Sequence, residues 1–208
     1  MTYPEFRKAL SPFSVFSTQD IIKIFPDFDS RRLVEWQKKE YIRKIVNKWY
    51  AFSEKKISET LLYRISNCIY RPSYVSLESA LAYHHLIPEG VYSQQAVTTR
   101  KTINYETPFG AFNYRTIKSK LFFGYQILHV KDYPVMMAGM EKAILDFLYL
   151  SSAVKTSEDI ESHRLNYAVM QHSVNWEKMN TYLKVFANKT LNKKIAVLKK
   201  LIPHVNAS

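Results

Sequence analysis

Apolar residues three and four positions apart open the chain, and this spacing predicts three short helices separated by turns. A hydroxyl side chain precedes each helix and can cap its first turn. The predicted helices are residues 3–10 after Thr2, residues 18–25 after Ser17, and residues 31–39 after Ser30. From Ile42 to Phe52 the apolar period shortens to two, which predicts two short strands joined by a tight turn at Asn47-Lys48.

This order, two helices, a turn, a basic helix and a hairpin, is typical of a winged helix-turn-helix, to which we assign residues 1-55. Residues 56-208 predict a mixed α/β domain that ends in helices, so the expected fold class is α+β. Its predicted helices are residues 56–69, 76–83, 140–151, 157–172, 175–187 and 191–201. Its predicted strands are residues 96–101, 111–117, 121–131 and 134–137, with Pro88-Glu89-Gly90 closing the second helix and Pro108-Phe109-Gly110 turning between the first two strands.

The chain of 208 residues has 30 Lys and Arg against 18 Asp and Glu, a net charge of +12. Such an excess favours nucleic acid, an anionic surface or an acidic protein as a partner. No stretch reaches the roughly 18 to 20 apolar residues that span a bilayer, and the N-terminus lacks the pattern of a signal peptide. Cys68 is the only cysteine, so an internal disulfide is excluded. We expect a cytoplasmic protein with no membrane partner.

The third predicted helix and the hairpin carry much of the positive charge. Leu33 and Trp36 form an inward apolar stripe on this helix, which leaves its cations to face the major groove of DNA, while the hairpin tip at Lys48 can reach the phosphate backbone. The predicted DNA-binding residues are Ser30, Arg31, Arg32, Gln37, Lys38, Lys39, Arg43, Lys44 and Lys48. Among them, Ser30 can bring a helix N-terminus to a phosphate and Gln37 can contact a base edge. A merely solvated basic face is the alternative interpretation.

A secondary basic patch is predicted from cations in the central strands and at the C-terminal end. Its residues are Arg100, Lys101, Arg115, Lys193, Lys194, Lys199 and Lys200. The patch can add non-specific affinity for DNA or meet an acidic protein surface, and solvated faces remain the alternative.

Catalysis, a metal site and a cofactor are not predicted. The sequence contains neither a phosphate-binding loop nor a dinucleotide fingerprint. His84 and His85 are adjacent, so on a helix they point about 100° apart and cannot share a metal. Glu141 and Asp146 are five residues apart and do not share a helix face, and Cys68 suits a buried apolar position. We therefore expect that the protein is not an enzyme.

Seven ordered blocks between residues 71 and 150 are more specific than the apolar pattern. They are RPSYVSLESAL at 71–81, LIPE at 86–89, VTTRK at 97–101, ETPFG at 106–110, FNYR at 112–115, LFFGY at 121–125 and EKAILDFLYL at 141–150. Together with the N-terminal pattern, these blocks resemble the AbiEi family of antitoxins over nearly the whole chain. Their prolines suit turns, and Leu77, Leu81, Phe122, Phe123 and Tyr125 suit the core.

The resemblance implies the antitoxin half of a bacterial type IV toxin–antitoxin and phage-defence operon. It implies repression of the protein's own operon through inverted repeats in double-stranded promoter DNA, and action against a nucleotidyltransferase-like toxin, AbiEii. Whether the DNA-bound form is a monomer or a homodimer stays open. Glu40 departs from the family pattern, because many relatives have Gly at this position, and a residue other than His often stands at His84 or His85.

Two other function classes remain open at this point. One is a protein–protein interaction module that neutralises the toxin by direct contact without binding DNA. The other is a nuclease, which would need an acidic cluster for its metal ions that the sequence does not reveal.

Overall fold

The computed structural model of the protein describes residues 1–88, 92–130, 133–154 and 156–202. Within these ranges the fold is α+β, with two β-sheets. The α-helices are α1 (Tyr3–Leu10), α2 (Thr18–Ile24), α3 (Arg31–Lys38), α4 (Glu59–Ile69), α5 (Leu77–Tyr83), α6 (Met140–Leu150), α7 (Ser157–Ser162), α8 (Tyr167–Ser173), α9 (Trp176–Phe186) and α10 (Lys189–Leu201). The strands are β1 (Phe16–Ser17), β2 (Ile42–Val46), β3 (Trp49–Phe52), β4 (Ser73–Val75), β5 (Ser93–Thr98), β6 (Ile103–Thr107), β7 (Gly110–Thr116), β8 (Tyr125–Val130) and β9 (Tyr133–Ala138).

The three N-terminal helices and the hairpin lie where the apolar spacing predicts them. Thr2 and Ser17 occupy the N-cap positions of α1 and α2. The two-residue strand β1, which is too short for a periodic signal, adds to β3 and completes an antiparallel sheet of order β1-β3-β2. The sheet and the helices enclose a buried aromatic core that includes Phe6, Phe16 and Trp36. Burying each such side chain contributes roughly 1.5–3 kcal/mol to folding.

The predicted cap of α3 is wrong. Ser30 has helical backbone angles, φ −64° and ψ −17°, and its side chain makes no capping bond. Instead, the Asp29 carboxylate accepts the backbone N–H of Arg31 at 3.0 Å and also the Arg31 side chain. A carboxylate at this position satisfies an otherwise unpaired N–H and favours the positive end of the helix dipole.

A six-stranded mixed sheet of order β6-β7-β5-β4-β9-β8 forms the centre of the remaining chain. Strands β4 and β6 were not predicted, since β4 has three residues and β6 is half-exposed. As a result, the predicted turn at Pro108-Phe109-Gly110 joins β6 to β7, while β5 pairs with β7 in parallel.

Several other predicted boundaries are corrected. Helix α4 begins at Glu59, which leaves Ile57 50% exposed ahead of it, and the predicted helix 157–172 is broken into α7 and α8 around Arg164, whose φ is +51°. The predicted strand 121–131 begins as a 3-10 turn over Ser119–Leu121, and β8 starts only at Tyr125. Lys131 of that strand, and Glu89 and Gly90 of the predicted closing turn, lie outside the described residues.

Helices cover both faces of the large sheet. Helix α4 covers one face, where Ser66 O accepts the Tyr114 hydroxyl at 2.7 Å. Helices α5 and α6 cover the other face, and α9 and α10 pack against α6. The N-terminal sheet packs its second face on the α4 side, where Ile45 and Ala51 share one apolar cluster with Ile65. Among the described residues, no helix is long and apolar enough to cross a bilayer.

Candidate nucleic-acid interface

Helix α3 presents one apolar and one charged side. Leu33 and Trp36 are buried, and the Trp36 ring lies 4.5 Å from that of Phe6 between centroids. Residues 31, 34, 35 and 38 follow one another at the spacing of a single helix face, opposite this stripe, and all four are exposed. The sequence prediction of an inward apolar stripe and an outward charged face is therefore confirmed.

The predicted contact residues of α3 differ in their freedom to bind a ligand. Arg31, whose side chain is 91% exposed, pairs with Asp29 at 2.9 Å, and Lys39 pairs with Glu35 at 2.7 Å. These ion pairs raise the pKa of both cations and stand in solvent, where an ion pair is weak enough to exchange for a phosphate. Lys38 is exposed and has no ion-pair partner within the described part of the chain.

Gln37 is held by its own helix. Its side-chain amide donates to Leu33 O at 2.8 Å, and the residue is half-buried. It borders a cleft of about 650 Å³ between α3, β2 and Pro108, together with Arg43 and Lys44. Arg32, also half-buried, borders a second cleft beside Asp29.

The cations of the hairpin also differ in whether they bind another group of the protein. Arg43 donates to Ser53 O at 2.7 Å and its guanidinium lies 5.5 Å from the centre of the Phe109 ring, so it ties the N-terminal sheet to the β6–β7 turn. Lys44 is exposed on β2, and Lys48 is exposed in the turn with φ +67°. Neither lysine has a carboxylate partner among the described residues. Among the described residues, the exposed cations of α3 and the hairpin that have no ion-pair partner are therefore Lys38, Lys44 and Lys48, and we call the surface that α3 and the hairpin present the α3–hairpin face.

The secondary basic patch does not form one free surface. Arg100 donates to Arg71 O at 3.2 Å and covers the Tyr70 ring, and Arg115 donates to Leu150 O at 3.0 Å. Lys194 donates to Leu148 O and Ser151 O at 2.7 and 2.9 Å, and its burial lowers its pKa.

The remaining residues of that patch make no hydrogen bond to a backbone carbonyl in the described part of the chain. Lys199 lies 4.9 Å from the Trp176 ring centre and 3.4 Å from Asn180 Oδ1. Lys101, Lys193 and Lys200 are exposed and have no ion-pair partner among the described residues.

A buried polar cluster on α6 was not predicted. Lys142 and Asp146 form an ion pair, and both side chains are fully buried. Asp146 also accepts the hydroxyls of Tyr74 at 2.8 Å and Ser76 at 2.9 Å. The i, i+4 spacing of Lys142 and Asp146 in an otherwise apolar stretch was the available signal. Because solvent does not reach these side chains, the cluster positions α6 against β4.

The other residues weighed for catalysis or metal binding are buried or bonded within the protein. Glu141 accepts Lys178 Nζ at 2.8 Å and the Asn175 N–H at 3.0 Å, which together outweigh its burial and lower its pKa. His84 Nε2 lies 2.8 Å from Ala138 O, and Cys68 is buried with a raised pKa. Among the described residues, no group of three or more His, Cys, Asp or Glu could hold a metal ion.

Comparison of the chain with models of known protein families and with curated proteins gives no match.

Proposed function

We propose that this protein is an antitoxin and transcriptional autoregulator, with residues 1–55 acting as a winged helix-turn-helix that binds its own promoter. In this proposal the remaining residues, 56–208, counter a nucleotidyltransferase-like toxin. The antitoxin part rests on the resemblance of the seven sequence blocks to the AbiEi family. The DNA-binding part rests on the N-terminal geometry as well.

The observation that carries DNA binding is the α3–hairpin face. Lys38, Lys44 and Lys48 are exposed without carboxylate partners among the described residues, on a helix and a hairpin that pack against each other through one core. A helix of this diameter fits the major groove of B-DNA, and cations beside it neutralise phosphates. Arg31 and Lys39 can exchange their solvent-exposed partners for phosphate oxygens, whereas Arg43 serves the packing of the sheet.

The first experiment is an electrophoretic mobility shift of the full chain on the DNA upstream of its gene, with a scrambled duplex of equal length for comparison. We expect preferential retardation that weakens as salt rises, because phosphate contacts release bound counterions. Each contact contributes about 0.9 to the slope of log affinity against log salt concentration.

Charge-reversal variants locate the interface. Lys38→Glu with Lys48→Glu should weaken binding to both duplexes and reduce the salt slope. Lys118→Glu with Lys120→Glu makes the same change of net charge at two exposed lysines outside both predicted basic surfaces and serves as the matched control. Equal loss in both double variants would assign the binding to net charge alone, and unchanged binding by the first variant would remove the α3–hairpin face from the proposal.

Toxin neutralisation is tested separately, by co-expressing the chain with the toxin that the proposal requires, a nucleotidyltransferase from the same operon, and measuring growth. Rescue of growth by both the wild type and the Lys38→Glu, Lys48→Glu variant would place neutralisation outside the DNA interface. Rescue without any promoter binding, together with a stable complex with the toxin, would favour the interaction module over the autoregulator.

A further inference from the structure

An exposed valine lies halfway along α3, between Arg31 and Lys38 in sequence. Val34 is 55% exposed, while Leu33 and Trp36 on either side of it in sequence are buried. Arg31 precedes it by three residues and Lys38 follows it by four, so all three side chains lie on one face. With a helix rise of 1.5 Å per residue, the two cations flank Val34 at about 4.5 and 6 Å along the axis.

Two polar residues close to Val34, Glu35 and Gln37, are engaged with other groups of the protein. Glu35, the other residue of this face, accepts Lys39 Nζ at 2.7 Å. Gln37, the residue of α3 whose amide could contact an adenine edge, is half-buried and donates that amide to Leu33 O. Val34 is therefore the side chain of the exposed face that is neither charged nor committed to an internal hydrogen bond.

We propose that Val34 contacts the 5-methyl group of a thymine in the major groove, and that this contact helps to determine which DNA sequence the protein prefers. The inference rests on the proposed DNA binding of the α3–hairpin face. A valine side chain has no hydrogen-bonding atom, and the thymine methyl is the apolar group that the four base pairs present in the major groove. The flanking cations would bind the phosphates on either side and hold the helix in this register.

The position of Val34 carries this inference, since single exposed apolar side chains are common on protein surfaces. Val185 on α9 is 42% exposed and lies in a different part of the fold, so it provides a matched valine outside the α3–hairpin face. A methyl–valine contact removes about one methyl group from water, which corresponds to roughly a fourfold change in affinity.

The test uses the full chain and a duplex selected from a random pool by the wild-type protein. Each thymine of the selected duplex is replaced in turn by deoxyuridine, which removes only the 5-methyl group. Binding of every duplex is measured for the wild type, Val34→Ala and Val185→Ala. We expect one or two thymines per bound helix at which the replacement weakens the wild type and Val185→Ala about fourfold but leaves Val34→Ala unchanged.

The outcomes separate this inference from the proposed function. Selective, salt-sensitive binding in which deoxyuridine has the same effect on Val34→Ala and the wild type at every position would overturn the role of Val34 and leave DNA binding intact. Failure of the wild type to select any duplex from the pool would overturn the proposed DNA binding and this inference together.

Discussion

Lys142 and Asp146 form an ion pair in which neither side chain has exposed surface. Lys142 Nζ lies 5.1 to 5.3 Å from the ring centres of Tyr74, Phe123 and Phe186, and it also donates to the Tyr74 hydroxyl at 2.8 Å. Burial lowers the pKa of Lys142 and raises the pKa of Asp146, and the attraction between them opposes both changes. Removing either side chain would therefore leave the other charge buried without a counter-charge.

Asp146→Ala is expected to lower the free energy of unfolding by about 3–5 kcal/mol, because it leaves the Lys142 ammonium buried without its counter-charge. The double variant Lys142→Met, Asp146→Leu should lower the free energy of unfolding by less than the sum of the losses in Lys142→Met and Asp146→Leu measured singly. Urea denaturation at neutral pH measures both, with the exposed Glu177→Ala on α9 as control. Strict additivity would show that the two charges do not depend on each other.

Because the pKa of His84 is lowered in the folded protein, we expect the free energy of unfolding to fall at mildly acidic pH. Its burial lowers its pKa below the ordinary 6.5, although the Ala138 carbonyl and Glu141 partly oppose this. The unfolded chain thus binds a proton at a higher pH than the folded chain, so the free energy of unfolding falls as the pH drops below about 6.5. This loss should be smaller in His84→Gln than in the wild type or in the exposed control His172→Gln. Identical pH profiles between pH 7 and 5 would contradict the role of His84.

At the scale of elements, α3 ends in a turn that holds Glu40 in a left-handed conformation. Tyr41 N donates to Trp36 O at 2.9 Å and Glu40 N donates to Gln37 O at 3.0 Å, the two hydrogen bonds of a Schellman motif. Glu40 consequently has φ +56°, in the left-handed region that glycine adopts without strain. Glycine is therefore the residue that this backbone favours at position 40, and it is also the residue that the resemblance to the AbiEi family led us to expect there.

Glu40→Gly is expected to raise the free energy of unfolding by about 1 kcal/mol, since it relieves the left-handed strain of a residue with a Cβ. Glu40→Ala removes the same charge but keeps the Cβ, so its effect on stability should be within about 0.5 kcal/mol of zero. Thermal or urea denaturation compares the two variants. Equal stabilisation by both would assign the effect to the charge and not to the backbone.

Most elements could be predicted because their signals are local. Capping residues and apolar spacing lie within a few positions of each helix, and the hairpin has its turn residues between two alternating runs. Strands β1 and β4 have two and three residues, too few for a period, and they exist because β3, β5 and β9 offer them hydrogen bonds. The break between α7 and α8 rests on a single left-handed residue, Arg164, which apolar spacing does not reveal.

At the scale of the whole molecule, residues on both sides of the predicted domain boundary at residue 55 share an apolar cluster. Ile45 and Ala51 of the N-terminal sheet pack with Ile65 of α4 and with Phe112 and Tyr114 of β7. Arg43 adds a polar link, since its guanidinium lies against the Phe109 ring. The sequence did not predict this contact, because the residues of β7 and Phe109 that take part in it are more than sixty positions from their N-terminal partners.

This shared cluster predicts that the N-terminal unit and the rest of the chain unfold together. Peptides from residues 1–52 and from residues 140–202 should lose protection against hydrogen exchange at the same urea concentration. Ile45→Ala creates a cavity in the cluster and should lower the free energy of unfolding by about 2–5 kcal/mol. It should therefore lower the urea midpoint of both sets of peptides by the same amount. Two separate midpoints would show instead that the N-terminal unit folds independently.

The sequence by itself determined the α+β class, the order of most elements and the separation of α3 into a buried and a charged side. These features depend on spacing and capping, which act between residues close in the chain. Only the tertiary structure decided which predicted contact residues are free, because the partners of Arg43, Arg115 and Lys194 are carbonyls 10, 35 and as many as 46 residues away. A cation looks the same in the sequence whether it faces solvent or ties two elements together. The fold leaves Lys38, Lys44 and Lys48 exposed, and Val34 is exposed between Arg31 and Lys38 along α3.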